Sequence, residues 1–355
     1  MASQLQGLDS LPADRTYLQD PTDASRTALD VTTGVYNTEI LGQLGLASTA
    51  HLLPEIRPSG EVVGVVHESA AEATGIGAGT PVIVGMMDGP AASVGVNAIS
   101  PGAGYGTIGT TASYGIISAS PRTAPSSVGF CVPQGATANW IISMAPMDGA
   151  PVLDWLRANL ASGMLWSELE ALAAQAPAGS DGLLFLPYIS GSGERAPFVN
   201  PNARGGFIGL TSRHGRAAIA RAVYEGLALG MADCVGVLGC KQDIRIAGGG
   251  AASPFLIQLM ADASQLPVEV PSDLDAGLRG IAALAAVAVG GYEDLSCALI
   301  LAGNGARRYE PDQAVSDVYA RLLHALALSR AALGETWLSL RCSSGAASPK
   351  SGTSR

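Results

Sequence analysis

Apolar runs alternate along the chain with turn-rich segments, and their spacing predicts an ordered series of strands and helices. Residues 61–75 predict a short strand and a helix, and residues 77–89 predict a turn and an apolar strand that ends at Asp88. Further on, the segments 102–118, 129–133 and 139–144 are typical of strands joined by turns. The first of these segments folds back on itself through a glycine-rich hairpin.

From residue 148 onward the pattern changes to helical and extended segments in alternation. Helical spacing covers residues 148–159, 166–175, 213–238, 253–265, 277–289 and 317–333, and strands are predicted at 182–189, 243–247 and 267–270. Ser253 and Pro254 are typical N-cap and first-turn residues of the helix that they begin. Strands followed by helices and strands in alternation predict an α/β, ribonuclease-H-like domain of the actin type.

Composition and charge narrow the classes of function. The chain has 355 residues, 48% of them hydrophobic, and a net charge of −10, which predicts a globular protein of two or three domains. The acidic balance disfavours nucleic acid as a partner. The N-terminus lacks the basic and apolar regions of a signal peptide, and the longest apolar stretch is too short for a membrane span. We therefore expect a cytoplasmic protein with no membrane partner.

Residue counts also limit the kinds of ligand site. The five cysteines never form a CxxC pair and the four histidines are isolated, so the sequence assigns no metal ligands. There are only two lysines, Lys241 and Lys350, and neither follows a glycine. A Walker A loop, which needs a Gly-Lys pair to reach nucleotide phosphates, is therefore excluded.

Two glycine-rich segments could bind phosphate without lysine. In GTIGTT (106–111), glycines let the hairpin backbone approach an anion, and Thr110 and Thr111 add hydroxyl donors. In IAGGGAASPFLIQ (246–258), three glycines lie between a strand and a helix N-terminus, where negative charge is favoured. Each segment also has a plain structural explanation, as a tight turn or a short connection.

Three further features have open interpretations. Asp88, flanked by Gly85 and Gly89, is placed to project into a crevice, although an Asp before a Gly is often only a turn former. The loop 191–210 is long enough to be functional or disordered, and its Glu194 and Arg195 could form a surface ion pair. GYGTIG (104–109) fits a dinucleotide fingerprint, but a returning strand follows where that fingerprint needs a helix.

In their order along the chain, these segments resemble the FGGY carbohydrate kinases, and within that family they are most similar to the xylulokinases. The matching stretches are GTPVIVGMMDGPAASVG, GTIGTTASYG, LPYISGSGERAPFVNPNARGGFIGL and RIAGGGAASPFLIQLMADASQLPVEV, within a resemblance that runs from about Thr22 to about Leu333. The resemblance implies an actin/hexokinase/Hsp70-type fold with a complete second domain. Residues 1–99 would be the C-terminal remnant of the first, sugar-binding domain, 100–335 the nucleotide-binding domain, and 336–355 a disordered tail.

The resemblance also implies an activity, which is ATP-dependent phosphorylation of a sugar or polyol hydroxyl with Mg²⁺. A pentulose such as xylulose is the expected acceptor, so the expected partners are this sugar and ATP. The chain could also form a homodimer. Asp88 would be the general base that accepts the proton of the acceptor hydroxyl. The residues expected to hold the phosphates and to line the adenosine pocket are Gly109, Thr110, Thr111, Gly249, Gly250 and Ala251.

One family motif, the DxGT phosphate loop that opens the first domain, is missing from this sequence. The expectation that follows is an N-terminally truncated kinase whose activity is impaired. Two alternatives stay open. One is a catalytically inactive nucleotide-binding or interaction module derived from a sugar kinase, and the other is an NAD-dependent oxidoreductase, which rests on GYGTIG alone.

Overall fold

A computed structural model describes residues 17–122, 128–272, 275–301 and 305–343. Within residues 17–99, short elements pair two by two: β1 with β4 in parallel, and β2 with β3 and β5 with β6 antiparallel. These strands are β1 Leu18–Gln19, β2 Leu29–Asp30, β3 Val35–Tyr36, β4 Glu55–Ile56, β5 Val62–Val65 and β6 Pro81–Ile83. The helices are α1 Pro21–Ala24, α2 Thr38–Gln43, α3 Glu68–Thr74 and α4 Asp88–Gly95, with a 3₁₀ segment at Ala47–Leu52.

The rest of the chain is built on a seven-stranded sheet. Its strands are β7 Gly104–Ile108, β8 Ala112–Ser118, β9 Phe130–Pro133, β10 Trp140–Met144, β13 Ile244–Ala247, β14 Val268–Val270 and β15 Arg307–Tyr309, whereas β11 Leu184–Leu186 and β12 Gly206–Ile208 form a separate pair. The order is β15-β14-β13-β7-β8-β10-β9. β7, β8 and β10 are antiparallel, and β13 and β14 extend the sheet in parallel beside β7. This topology agrees with the predicted ribonuclease-H-like domain.

Helices cover both faces of this sheet. They are α5 Pro151–Leu160, α6 Trp166–Ala173, α7 Arg216–Leu238, α8 Pro254–Ser264, α9 Ala276–Ala288, α10 Leu295–Leu301, α11 Ser316–Ala332 and α12 Gly334–Ser343. α7 is buried along most of its 23 residues, which makes it the central helix of the main core. Tyr105 and Ile117, on the other face of the sheet, pack with Ala92 of α4 and Ala276 of α9. Among the described residues, none of the helices combines the length and hydrophobicity that a membrane crossing requires.

The predicted elements are largely confirmed, with three corrections. The apolar strand that was expected to end at Asp88 covers only Pro81–Ile83, and Asp88 begins α4 instead. The expected disordered tail is wrong for residues 336–343, which belong to α12, and Trp337 is buried with its ring 5.9 Å from that of Tyr188. α10 was not predicted, and neither were the strands β12 and β15 or the short strands β1–β4. Residues 344–355 lie outside the described residues.

The contact between α4 and α9 depends on glycines. A Cβ atom at Gly280 of α9 would lie 2.0 Å from the carbonyl oxygen of Ala91, and one at Gly95 of α4 would lie 1.8 Å from that of Ala276. Only glycine lets the two helices approach this closely, because real Cβ atoms essentially never come within 3.0 Å of backbone. Since Asp88 is the first residue of α4, this contact also fixes where its carboxylate lies.

Gly280→Ala should therefore destabilise the fold by about 1–3 kcal/mol, because the added methyl group overpacks the helix contact. Gly277→Ala is a matched control on the same helix, since a Cβ there meets no atom within 4 Å. The control should leave the free energy of unfolding unchanged or raise it by up to about 1 kcal/mol through helix propensity. Urea unfolding of both variants measures the difference. Equal stabilities would contradict the described packing.

Candidate active site

The turn between β7 and β8 presents three exposed residues at one edge of the sheet. The register pairs Ile108 with Ala112, both buried, so Gly109, Thr110 and Thr111 form the exposed loop between them. The Gly109 amide donates to the Thr111 carbonyl at 3.0 Å, which closes the loop. Two threonine hydroxyls are thereby placed on adjacent residues of a hydrogen-bonded hairpin, where a ligand can reach them.

The triple-glycine segment lies directly against this hairpin. β13 pairs in parallel with β7, with Ala247 opposite Thr107, so both strands run to the same edge of the sheet. Gly248 has φ +91°, and a Cβ on it would lie 2.8 Å from the Ile108 carbonyl oxygen. A side chain here would push the segment away from β7. The structure thus brings together the two segments that the sequence singled out for nucleotide binding.

The N-terminal end of α5 forms a third side of this arrangement, which the sequence analysis did not assign. The amide of Ala150 donates to the carbonyl of Gly109 at 2.8 Å, and α5 begins at the next residue, Pro151. The available signal was a Gly-Ala-Pro sequence before an amphipathic run, which marks a helix start but not its neighbour in space. The hairpin turn is therefore held on both sides.

A cavity of about 330 Å³ opens between α5, α6 and the triple-glycine segment. It is lined by Ala150, Leu153, Asp154, Trp166, Glu170, Tyr224, Gly249, Gly250, Ala252 and Ser253. Its volume falls within the range of small-molecule sites, and its walls combine apolar and aromatic surface with a few polar groups. Two of the expected adenosine-pocket residues, Gly249 and Gly250, line it. Ala251 does not, because its side chain is buried in the main core, and Ala252 and Ser253 lie at the cavity instead.

Asp88 is exposed at the N-terminus of α4. Its Oδ1 accepts a hydrogen bond from the amide of Gly89 at 2.7 Å, and a carboxylate at a helix N-terminus interacts favourably with the helix dipole. Burial raises the pKa of Tyr105 on β7; hydrogen bonds from serines and the charge of Arg26 oppose this shift, and the Asp88 charge adds to it. Asp88 thus begins the helix whose Ala92 packs with Tyr105, on the strand that leads into the Gly109–Thr111 turn.

Residues from the beginning of the chain fix the segment before Asp88. The amide of Met87 donates to Thr22 Oγ1 at 2.8 Å, and Thr22 is fully buried. Thr22 sits in α1, which Asp20 caps through hydrogen bonds from the amides of Thr22 and Asp23. Asp20 also accepts from the Ser59 hydroxyl at 2.9 Å. The position of Asp88, the candidate base, is therefore fixed by residues that are far from it in sequence.

Residues 191–205, the part of the predicted loop that precedes β12, are held by a buried carboxylate. Glu194 Oε1 accepts from the amides of Met147, Arg195 and Ala196 at 2.9, 2.7 and 3.2 Å. Burial raises the pKa of Glu194, and these three hydrogen bonds oppose that shift. Arg195 donates to the carbonyl of Ala145. The alternative of a surface Glu194–Arg195 ion pair is therefore wrong, and the loop is tied to the strand end before α5.

Comparisons with known proteins identify the family to which this sequence is similar. Residues 104–289 match the C-terminal domain of the FGGY family of carbohydrate kinases, and residues 10–95 match its N-terminal domain. The chain is 33% identical over 341 residues to an erythritol kinase of Brucella abortus, covering 90% of this chain and 64% of the relative. It is 33% identical over 283 residues to a xylulose kinase of Escherichia coli, covering 77% and 56%.

Solved structures give the same result for the fold. A ligand-bound xylulose kinase of Lactobacillus acidophilus superposes with a TM-score of 0.84 at 30% identity, covering 91% of this chain and 66% of that one. This likeness confirms the predicted actin/hexokinase-type fold. The chain spans 56–64% of the length of the two curated relatives given above.

Proposed function

The chain belongs to the FGGY family of carbohydrate kinases, and we propose that it transfers the γ-phosphate of ATP to a hydroxyl group of a sugar or polyol. The observation that carries this proposal is the meeting of the hairpin turn and the triple-glycine segment beside a cavity of about 330 Å³. Phosphoryl transfer depends mainly on positioning and charge stabilisation, which such backbone-rich loops supply.

Each part of the site has a role in the proposal. The hydroxyls of Thr110 and Thr111 bind the β- and γ-phosphates, and the cavity with Gly249 and Gly250 takes the adenosine. The amide of Gly109, which was expected to join them, donates to the Thr111 carbonyl instead and so shapes the turn. The oxygen of the acceptor hydroxyl attacks the γ-phosphorus, and Asp88 accepts the proton that this oxygen loses. The bond between the γ-phosphorus and the β–γ bridging oxygen breaks, and ADP leaves. The exposure of Asp88 leaves room for both reactants.

Magnesium enters the proposal together with ATP. The described residues contain no group of three or more His, Cys, Asp or Glu side chains arranged for a metal ion. Mg²⁺ is commonly held by substrate phosphates, waters and one or two carboxylates, so a preformed cage is not required. Bound to the phosphates, the ion would neutralise charge on the transferred group, and Asp88 and Asp154 are exposed carboxylates of the site.

The acceptor belongs to the small polyhydroxylated compounds. The names of the relatives given above include erythritol and xylulose, and further relatives are a gluconokinase of Bacillus subtilis and a glycerol kinase of Solidesulfovibrio magneticus. We propose a pentulose such as xylulose as the first compound to assay, with erythritol, gluconate and glycerol in parallel. ADP formation in the presence of each acceptor tests the proposal. Tight ATP binding without transfer to any of them would instead favour the inactive nucleotide-binding module.

Removing both threonine hydroxyls of the turn should weaken ATP binding. In Thr110→Ala/Thr111→Ala the affinity should fall at least about tenfold, since a hydrogen bond to a charged group contributes about 1.5–3 kcal/mol. Both residues are exposed, so the free energy of unfolding should stay within about 0.5 kcal/mol of the parent. Isothermal titration calorimetry measures the change.

The turn between β2 and β3 offers a matched control, because it also carries two adjacent exposed threonines. Thr32→Ala/Thr33→Ala should leave the affinity for ATP within about twofold of the parent. If both double variants bind ATP as tightly as the parent, the turn after β7 does not bind phosphate.

A further inference from the structure

The segment between α4 and β7 joins two parts of the candidate site. α4 begins with Asp88, and β7 leads into the Gly109–Thr111 turn, so one continuous stretch of chain carries the candidate base at one end and the turn at the other. Residues 96–103, the linker between the two elements, belong to no helix or strand. The backbone path through the linker therefore contributes to the distance between the base and the turn.

Three consecutive carbonyl groups of the linker accept hydrogen bonds from side chains of the second domain. The bonds run from Arg245 Nη1 to the carbonyl of Asn97, from Gln134 Nε2 to that of Ala98 at 3.1 Å, and from Asn139 Nδ2 to that of Ile99 at 3.0 Å. α4 has ended before these carbonyls and β7 has not yet begun, so neither element supplies their partners. The side chains satisfy polar backbone groups that the secondary structure leaves open.

The amide group of Gln134 is oriented for its bond to the linker. Gln134 and Ala98 are both 0% exposed. The hydroxyl of Thr137 donates to Gln134 Oε1, which leaves Nε2 to face the carbonyl of Ala98. Thr137 Oγ1 in turn accepts from the amide of Asn139 at 3.2 Å. Because both ends of this buried amide group are bonded, one orientation is strongly favoured.

Arg245 adds a positive charge at the C-terminal end of α4. The helix ends at Gly95, and Asn97 follows in a left-handed conformation with φ 61°. The last carbonyls of a helix carry partial negative charge, which a guanidinium stabilises. Arg245 Nε itself lies 2.9 Å from Asp243 Oδ2 and 3.4 Å from Glu269 Oε2. The guanidinium is thus held by the sheet while it binds the end of the helix.

The three donors reach the linker from both sides of β7. Arg245 belongs to β13, the neighbour of β7 on one side of the sheet, and Gln134 and Asn139 lie in the connection between β9 and β10, on the other side. A change in the angle between α4 and β7 moves the linker carbonyls and stretches at least one of these bonds. Together the bonds therefore resist such a change in either direction.

We propose that Gln134, Asn139 and Arg245 are positioning residues for phosphoryl transfer, which fix the linker and thereby the place of Asp88 relative to the Gly109–Thr111 turn. The proposal rests on the proposed function, in which the base and the turn act on the same phosphoryl group. The three side chains act without touching a substrate. Transfer is sensitive to such positioning, since a misplacement of about 1 Å can lower the rate by about 10²-fold.

The test uses Gln134→Met in the full chain, because methionine keeps the length of the side chain and removes the donor. Hydrogen exchange read by mass spectrometry should become about tenfold faster in the linker, where the amides of Asn97 and Ala98 donate to the last turn of α4. Single-turnover transfer to the best acceptor should slow by about 10–100-fold. The affinity for ATP should change less than about twofold, since a loss of positioning affects the rate and not the binding of nucleotide.

Asn139→Ala is a second, milder variant, because Asn139 is only half-buried. It should change the same two quantities in the same direction by a smaller factor. Gln265→Met is the matched control, since Gln265 Nε2 also donates to a backbone carbonyl, that of Asp262 at 2.6 Å, but not to the linker. The control should leave linker exchange and the transfer rate within about twofold of the parent.

The two measurements separate the inference from the proposed function. Unchanged linker exchange in both Gln134→Met and Asn139→Ala would overturn the inference, because the side chains would then not hold the linker. Faster exchange with transfer at the parent rate would also overturn it, because the linker would then not position Asp88. A parent chain that transfers phosphate to no acceptor would overturn the proposed function and the positioning role with it, whereas linker exchange would still show whether these side chains hold the linker.

Discussion

Replacing Asp88 by asparagine is expected to lower the rate of phosphoryl transfer by about 10²–10⁴-fold, the usual contribution of a positioned general base. The affinity for ATP should change less than about twofold, because the proposed phosphate and base contacts lie on other segments. The amide oxygen of asparagine can still accept the hydrogen bond from Gly89, so the start of α4 should keep its structure. Single-turnover transfer to the best acceptor measures the rate.

Glu68 offers a matched control for this experiment. It is likewise an exposed carboxylate at the first residue of a helix, in this case α3. Glu68→Gln should transfer phosphate at the parent rate, within about twofold. If Asp88→Asn also transfers at the parent rate, Asp88 is not the base.

Glu225→Ala is expected to destabilise the fold by about 3–5 kcal/mol, because it leaves Arg221, whose side chain is only 12% exposed, without its counter-charge. Glu225 is 1% exposed, and its Oε1 accepts from Arg221 Nε at 2.8 Å and from the amide of Gly179 at 2.9 Å. Its Oε2 accepts from the Ser180 hydroxyl at 2.8 Å. The carboxylate thus ties α7 to the segment before β11. Urea unfolding gives the magnitude.

An exposed ion pair provides the comparison. Glu310 lies 2.6 Å from Arg308, and both side chains are substantially exposed. Glu310→Ala should cost no more than about 1 kcal/mol, as surface pairs usually do. A Glu225→Ala variant that is as stable as Glu310→Ala would contradict the buried network. Glu225→Gln should fall between the two, because it keeps an acceptor but loses the charge.

Most elements after residue 100 were predictable because their local signals agree with their packing, with α10, β12 and β15 as the exceptions. Ser253 caps α8 by accepting from the amide of Leu256, and Pro254 follows it, as the sequence indicated. In the hairpin of β7 and β8, the buried apolar residues Ile108 and Ala112 lie on either side of a short polar turn. Asp88 was misplaced onto a strand because the apolar run before it continues past Ile83, where pairing with β5 ends.

The site was only partly predictable, because spatial neighbours come from the sheet topology. The parallel pairing of β13 with β7 places Gly248 against Ile108, residues 140 positions apart whose meeting no local pattern encodes. The sequence did not identify Tyr224 as a residue that lines the cavity, because it lies in a helix that is apolar on most sides, as expected of a core helix. Arg221 and Glu225 are spaced i, i+4, which hints at an ion pair but not at its burial.

A crystal structure of the chain with Mg²⁺ and a non-hydrolysable ATP analogue tests the central claim most directly. The account predicts the adenine ring in the cavity beside Trp166, the phosphates along Gly109–Thr111, and the terminal phosphate turned toward Asp88. Phosphates bound away from that turn, or a terminal phosphate on the side of the site away from Asp88, would contradict it.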